Sequence, residues 1–186
     1  MSVDQSQMTV LAIVLVLIAA MAIAAWVHHQ RTQSHRLKDR FGNEYYRMLE
    51  QTGSAGKAEA ELKARERRVE KMKLIALPPE DAQRFTGDWK ALQARFVDNP
   101  QGAVAEADRL VRELMARRGY PMGDFERQAA DISVDHPQVV ENYRAAHDVA
   151  VRIGRGGVDT EALRRAVVHY RALFDELLEV DATPRQ

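Results

Sequence analysis

Three histidines in the second half of the chain are the residues with the clearest capacity for chemistry. They are His136, His147 and His169, and Asp135 and Glu141 are close to the first two in sequence. Imidazole can bind a metal or exchange a proton near neutral pH, usually beside a carboxylate. Metal sites in helical bundles commonly use Glu-x-x-His or His-x-x-x-His spacing, and neither occurs in this chain. The spacing favours hydrogen-bonded histidines and predicts neither a metal nor a cofactor.

A second set of polar residues could line a pocket for a small ligand or a reaction. Tyr143, Arg144 and His147 follow one another at helical spacing, and His169 lies on a later helical stripe. If these side chains converge between helices, they would form a partly polar cavity. The chain has no Gly-rich phosphate loop, no Gly-x-Ser-x-Gly and no His-Glu-x-x-His motif. The sequence therefore predicts a protein that is not an enzyme, with this pocket as the alternative.

Basic residues could bind phosphate groups or nucleic acid. The run Arg155-Gly156-Gly157 lacks the strand and lysine of a phosphate loop, so it is interpreted as a loop between helices. A denser basic cluster comprises Arg65, Arg67, Arg68, Lys71 and Lys73. Glu66 and Glu70 are interleaved with it, and lipid headgroups would be the nearer anions for a membrane protein. Nucleic acid is not a predicted partner.

The longest apolar run of the chain is Val10–Val27, eighteen residues without a charge. A helix of this length, extended by Met8 and Thr9, rises roughly 30 Å, which is the thickness of the hydrocarbon core of a bilayer. The run therefore predicts a single transmembrane helix at residues 9–27, and the lipid bilayer is a predicted partner.

The residues that flank this run predict its orientation. Only one acid and no Lys or Arg precede the run, whereas Arg31, Arg36, Lys38 and Arg40 follow it. Basic flanks remain in the cytoplasm, so we expect the N-terminus outside and the rest of the chain inside a bacterial inner (plasma) membrane. Trp26 is expected in the headgroup layer, because its ring is apolar with one polar edge. These five residues form the predicted membrane interface.

A cleaved signal peptide is the main alternative to a retained anchor. Ala22-Ile23-Ala24 matches the small-x-small pattern of a cleavage site. Signal peptides, however, begin with positive charge and have an apolar core of about 7–15 residues. This chain has Asp4 before the run, and its apolar core continues past Ala24. The retained anchor is therefore favoured, although cleavage near Ala24 stays open.

Charge is balanced in total but unevenly placed. The chain has 27 basic and 27 acidic residues and no cysteine, which excludes disulfides and thiolate catalysis. Residues 28–77 contain 12 basic and 7 acidic residues, whereas residues 78–186 contain 15 and 19. Each basic residue near an anionic leaflet contributes about 1 kcal/mol. We therefore expect the region next to the membrane to be attracted to the inner surface.

The remaining chain shows apolar residues at helical spacing and no alternating strand pattern. Pro79 and Pro100 each precede an amphipathic segment, with the stripes Phe85, Trp89, Leu92, Phe96 and Val104, Ala107, Leu110, Val111, Leu114, Met115. The stripe of residues 57–74 is thin, so that helix is predicted to be a solvated stalk or surface helix, with one side of a coiled-coil-like contact as the alternative.

Capping residues predict where the last two helices begin. Asp135 is predicted to cap a helix with Pro137 in its first turn, and Asp159 or Thr160 the last helix. The expected fold is all-α, with a single N-terminal transmembrane helix followed by a multi-helix bundle and seven helices in all. The predicted segments are an extracytoplasmic N-terminus 1–8, the span 9–27, a basic juxtamembrane helical segment 28–77, the bundle 78–180 and a flexible tail 181–186.

Five ordered segments resemble a family of small bacterial helical proteins that has no established activity. They are RFGNEY from Arg40, RFVD from Arg95, RGYP from Arg118, SVDHP from Ser133 and HYRALF from His169. The resemblance covers residues 41–178. It implies a bacterial helical domain and supplies no cofactor, substrate or catalytic residue.

The function favoured by these features is a membrane-anchored cytoplasmic module that binds a protein partner or assists an assembly. A tethered helical domain without a visible reaction centre has surfaces to offer. The small-ligand or catalytic pocket is the second hypothesis. Self-association into a homo-oligomer through the anchor or the charged stalk is the third.

Overall fold

The computed structural model describes residues 5–179, and these residues form eight α-helices and no strand. The helices are α1 (Gln5–Phe41), α2 (Asn43–Thr52), α3 (Ala55–Glu70), α4 (Pro79–Arg95), α5 (Pro100–Arg117), α6 (Phe125–Asp135), α7 (Val140–Ile153) and α8 (Thr160–Glu179). The all-α fold is confirmed, with one helix more than the seven expected. The predicted tail 181–186 and residues 1–4 of the predicted N-terminal segment lie outside the described residues.

The first of two units, Met1–Arg40, contains α1. This helix has 37 residues, and the segment Leu11–Phe41 is long and apolar enough to cross a membrane, with a mean hydropathy of 2.6 in its most apolar window. The large apolar side chains described between Met8 and Trp26 are 45–67 % exposed. The predicted apolar helix is therefore present, and these apolar side chains are not covered by any other described part of the chain.

The second unit, Phe41–Gln186, contains α2 to α8. Several of its helices begin where proline or a capping side chain predicts. Pro79 begins α4, Asn99 accepts a hydrogen bond from the Gly102 N–H at 2.9 Å, and Asp159 accepts one from the Ala162 N–H at 2.6 Å. Each cap satisfies a backbone donor that has no partner within its helix. The predicted starts of α4, α5 and α8 are confirmed.

The predicted cap at Asp135 is wrong. The His136 N–H donates to the Ile132 carbonyl at 2.8 Å, so α6 continues to Asp135. His136 precedes Pro137, whose ring disfavours helical backbone at the residue before it, and α6 ends there. The next helix begins only at Val140. Asp135 Oδ2 accepts a hydrogen bond from the Tyr120 hydroxyl instead, at 3.3 Å.

Helices α4, α5, α7 and α8 surround an apolar core. Helix α8 packs on α5 and α7, and α4 packs on α5. Trp89 stacks on Phe174 with ring centroids 4.5 Å apart, and Phe85 contacts the same ring edge-on. The predicted aromatic stripe of α4 is buried at Phe85, Trp89 and Leu92 and partly buried at Phe96. The six predicted apolar residues of α5 are all buried.

Helices α2 and α3 form a hairpin whose second helix packs on α6. Gly53 ends α2 with a left-handed backbone, φ 64°, which allows its N–H to reach the Leu49 carbonyl. Leu62, Arg65 and Val69 of α3 are buried. Because Arg65 completes the thin apolar stripe, α3 is a surface helix with one packed face and not a fully solvated stalk. The sequence divided the chain between residues 77 and 78, whereas the second unit already includes α2 and α3.

Candidate functional site

The four predicted pocket residues lie on two helices of the second unit. Tyr143, Arg144 and His147 belong to α7, and His169 belongs to α8. Two surface grooves of this unit, of about 400 and 180 Å³, are lined by residues of α4 and α8. Neither groove is lined by any of the four. Instead, three of these side chains contact other groups of the protein, and their partners define the candidate site.

Arg144 reaches two carboxylates on different helices. Its Nη2 lies 3.0 Å from Glu44 Oε1 of α2, and its Nη1 lies 2.6 Å from Glu126 Oε2 of α6. Arg47 adds a longer contact with Glu126, at 3.5 Å. Because the guanidinium presents a planar set of donors, it can bind both acids at once. Arg144 therefore joins α7 to α2 and α6.

Glu44 also binds Arg65, and this pair is buried. Arg65 Nη1 lies 2.9 Å from Glu44 Oε1, and the side chains are 6 % and 3 % exposed. The same nitrogen is 3.4 Å from the Ser133 hydroxyl, which itself donates to the Ala130 carbonyl. Charges removed from water are stable only when they are paired and hydrogen-bonded. Glu44 therefore depends on two arginines, from α3 and α7.

A second buried acid, Asp131 of α6, pairs with an arginine of α3. Arg68 Nε lies 2.7 Å from Asp131 Oδ1, and the Asp131 side chain is 2 % exposed. On the opposite helix of the hairpin, the Tyr45 hydroxyl donates to Glu59. Burial, and then the Glu59 charge, raise the pKa of Tyr45 above 10.0. We call the set Glu44, Arg65, Arg68, Glu126, Asp131 and Arg144 the ion-pair network.

A second polar group, the Asp108 cluster, lies among α5, α7 and α8. The Tyr170 hydroxyl donates to Asp108 Oδ1 at 2.8 Å, and His147 Nδ1 lies 3.6 Å from the same oxygen. The hydroxyl of Tyr143 donates to Gln128 at 3.2 Å. Burial raises the pKa of both tyrosines well above 10.0, and the negative charge of Asp108 raises it further. Both hydroxyls therefore remain protonated donors at neutral pH.

The histidines contact different partners. The ring of His147 lies on Phe125, with centroids 3.6 Å apart and planes 7° from parallel. His136 is buried, and its Nδ1 lies 3.3 Å from Glu176 Oε2. Within residues 5–179, no group of three or more His, Asp or Glu side chains is placed to hold a metal ion. The described geometry provides structural contacts for these imidazoles.

Sequence reasoning missed Glu44 and Arg65, although a signal was present. Phe41, Tyr45 and Met48 form a helical stripe, and Glu44 occupies a position on that same face. Arg65 lies similarly between Leu62 and Val69 on the buried face of α3. Opposite charges on the apolar stripes of two consecutive helices indicate a buried ion pair, provided that the helices pack together.

The predicted membrane-interface residues all lie on α1. Trp26 is 64 % exposed, and Arg31, Arg36, Lys38 and Arg40 follow it within the same uninterrupted helix. Arg40 is the fourteenth residue after Trp26, which corresponds to a rise of about 21 Å along the helix. The basic residues are therefore distributed along the polar end of α1.

The sequence matches no protein-family model, no curated protein and no solved structure. Its class is defined by its own structure. It is an all-α protein with an N-terminal helix that is long and apolar enough to span a membrane, followed by a helical unit that contains the ion-pair network.

Proposed function

We propose that the protein is a single-pass protein of the bacterial inner (plasma) membrane, anchored by α1. The observation that carries this proposal is that the described residues bury none of the most apolar window of α1. Removal of apolar surface from water contributes about 25 cal/mol per Å². A continuous exposed stripe of this kind is typical of a surface that another phase or protein covers. A bilayer would cover all sides of the helix at once.

The second unit is proposed to lie in the cytoplasm. Arg31, Arg36, Lys38 and Arg40 follow the apolar segment, and the few residues before it contain no Lys or Arg. Short basic flanks are retained on the cytoplasmic side during insertion. Trp26 would then lie in the inner headgroup layer. The charge asymmetry supports this placement.

Alkaline carbonate extraction of membranes from a bacterial host tests the anchor. The wild-type chain is expected in the membrane pellet. Replacing both Leu15 and Ile18 with Arg should release it, because each Arg at the centre of a span costs about 2.5–3.5 kcal/mol. Gln33→Arg, outside the apolar run, is the matched control and should remain in the pellet. Release of the wild type would contradict the anchor.

The orientation and the signal-peptide alternative need separate measurements on the same strain. A reporter that is active only in the cytoplasm, fused after Gln186, should be active. The intact mass of the purified chain should include the residues before Ala24. A silent reporter contradicts the cytoplasmic placement. An intact mass that corresponds to a chain starting near Ala25 shows cleavage.

The second unit is proposed to act as a protein-interaction or assembly module. The support is twofold. Arg144, Tyr143 and His147 contact groups of the unit itself, while large apolar side chains such as Val97 (84 % exposed) and Val168 (54 %) are exposed. Exposed apolar side chains are the kind that protein partners cover.

Site-specific photocrosslinking in intact membranes tests this role. A crosslinking amino acid in place of Val97 should yield one reproducible adduct, and the same group in place of exposed Ala145 on α7 is the control. An adduct with a different protein supports the interaction module. An adduct of twice the mass of the chain supports self-association instead. Failure to form any adduct at Val97 contradicts a stable partner on that face.

A further inference from the structure

The fold buries charges of both signs on one face of α3 and leaves a different set of charges exposed. The helix contains five basic and four acidic residues, which makes it mixed in sequence. Two of the acids, Glu59 and Glu66, are 8 % and 6 % exposed. Two of the basic residues, Arg65 and Arg68, belong to the ion-pair network. Two acids and two arginines are thus withdrawn from the surface, and the remaining cations Lys57, Lys63 and Arg67 share it with Glu61 and Glu70.

The exposed face of α3, on the side opposite its buried residues, carries a stripe without acidic residues. It consists of Lys57, Ala60, Ala64 and Arg67, together with Lys71 directly after the end of α3, spaced by three and four residues. All of these residues are exposed except Ala64, which is partly exposed. We call this set the basic stripe.

The cations of the basic stripe are available to an external anion. Lys57, Arg67 and Lys71 take part in no ion pair within the described part of the chain. The nearest flanking acid towards the buried side, Glu61, is engaged by Arg65 at 3.7 Å. The two alanines between the cations have no bulk that would hold a flat anionic surface away from the helix.

We infer that the basic stripe binds the anionic surface of a lipid bilayer. This inference rests on the proposed anchor, because the anchor keeps the stripe at a high effective concentration near headgroups. Each basic residue at such a surface strengthens binding by roughly fivefold, so three suffice for an intramolecular contact but not for tight binding in solution. The stripe has no aromatic side chain on which an unpaired base could stack, which favours lipid over single-stranded nucleic acid.

A single fluorescent label can report this contact in the full chain. The protein has no cysteine, so Ala60→Cys places one reactive thiol at the centre of the stripe. The labelled chain is reconstituted into vesicles of phosphatidylcholine, with or without phosphatidylglycerol, that carry a quencher on the headgroup. Quenching is expected in anionic vesicles at low salt. It should be lost at 1 M salt, where charges are screened beyond about 3 Å, and it should be weak in neutral vesicles.

Matched triple variants separate the stripe from total charge. Lys57→Gln, Arg67→Gln and Lys71→Gln together should lower the ratio of docked to undocked chains on the order of 100-fold. The control changes three other exposed cations of the second unit to Gln, namely Lys90, Arg155 and Arg165. The control should lower the ratio less than about threefold. Equal losses in the two variants would show a general charge effect and overturn the stripe.

The same vesicles distinguish failure of the anchor from failure of the stripe. A chain released by carbonate contradicts the anchor. A chain that is retained but shows no quenching in anionic vesicles contradicts lipid binding by the stripe. Labelled chains that respond to added DNA or RNA oligonucleotides, and not to anionic lipid, would identify nucleic acid as the partner and also overturn the inference.

Discussion

Two regions of the second unit are held together by different forces. In the bundle of α4, α5, α7 and α8, Trp89 and Phe174 stack within a large apolar core. In the α2–α3 hairpin, Arg65 on α3 binds Glu44 on α2, and α3 meets α6 through Arg68 and Asp131. Burying apolar surface lowers the free energy directly, whereas an ion pair must first recover the cost of losing water. The hairpin should therefore be the less stable region.

This difference gives the two regions different responses to the same perturbation. An apolar core is non-directional and accepts changes that preserve volume. A buried ion pair requires particular partners, and loss of one leaves the other charged and buried. Amide hydrogen exchange can follow both regions at once, because opening energies vary along a chain. We expect α2 and α3 to exchange before α5 and α8.

The largest effect is expected in the apolar bundle. Trp89→Ala removes a fully buried ring that stacks on Phe174, and it should lower the free energy of unfolding by about 3–5 kcal/mol. Urea titration of the full chain in mild detergent, followed by circular dichroism, measures this. Exchange should rise in α4, α5 and α8 together, since they share the core.

Trp89→Phe is the sharper control for the same site. The indole N–H of Trp89 is buried without a hydrogen-bond partner among the described residues. Phenylalanine keeps a ring and removes that donor, so the change should cost less than about 1.5 kcal/mol. A loss as large as that of Trp89→Ala would mean that the indole nitrogen has a partner.

The next largest effect is expected in the ion-pair network. Glu44→Gln leaves Arg65 and Arg144 near each other without their shared acid, and it should cost about 3 kcal/mol. Hydrogen exchange should rise in α2 and α3, while α5 and α8 change little. Glu50→Gln, which removes an exposed acid from the same helix, is the control and should change stability by less than about 0.5 kcal/mol.

An equal rise of exchange in every helix of the Glu44→Gln variant would remove the distinction between the two regions. A double variant in which Glu44 and Arg65 are both replaced by Met tests the same distinction by removing the ion pair entirely. Apolar residues of similar volume often match or exceed a buried pair in stability. The double variant should therefore be more stable than Glu44→Gln alone.

The bundle was predictable from the sequence, and the hairpin contacts were not. Stripes such as that of α5, from Val104 to Met115, are continuous, and Pro100 marks where that helix starts. Glu44 and Arg65 carry charges that are normally exposed. Their burial follows only from the packing of α2 on α3, and the local sequence pattern of either helix does not predict that packing. The boundary after α6 was also missed. Asp135 is a residue type that often caps helices, but in the fold its carboxylate accepts a hydrogen bond from the Tyr120 hydroxyl.

Alkaline pH should destabilise the bundle. Burial raises the pKa of Tyr143 and Tyr170 above the ordinary 10.0. In the unfolded chain these phenols ionise above pH 10.0, whereas the folded state keeps them protonated. Stability is thus fully present below that pH and is lost as pH rises, by up to about 1.4 kcal/mol per pH unit for each tyrosine.

Conservative variants assign this loss to particular tyrosines. Tyr143→Phe should reduce the slope of stability against pH above 10.0, measured by urea titration. Tyr46→Phe, which removes the hydroxyl of a residue that is 58 % exposed, is the control and should leave the slope unchanged. Equal slopes in both variants would show that the alkaline loss arises elsewhere.

The smallest effect is expected from removing one helix cap in each region, which should lower the free energy of unfolding by a similar amount in both. Asp159 caps α8 of the bundle, and Asp124 caps α6, on which the hairpin packs; each accepts a backbone hydrogen bond, at 2.6 and 2.9 Å. Replacing either with Ala should cost about 1 kcal/mol, and replacing either with Asn, which also caps, should cost much less. If the regions open separately, Asp124→Ala should speed exchange in α3 and α6, and Asp159→Ala should speed it in α5 and α8. Identical exchange patterns would mean that the unit opens as a single body, because a cap then weakens every helix alike.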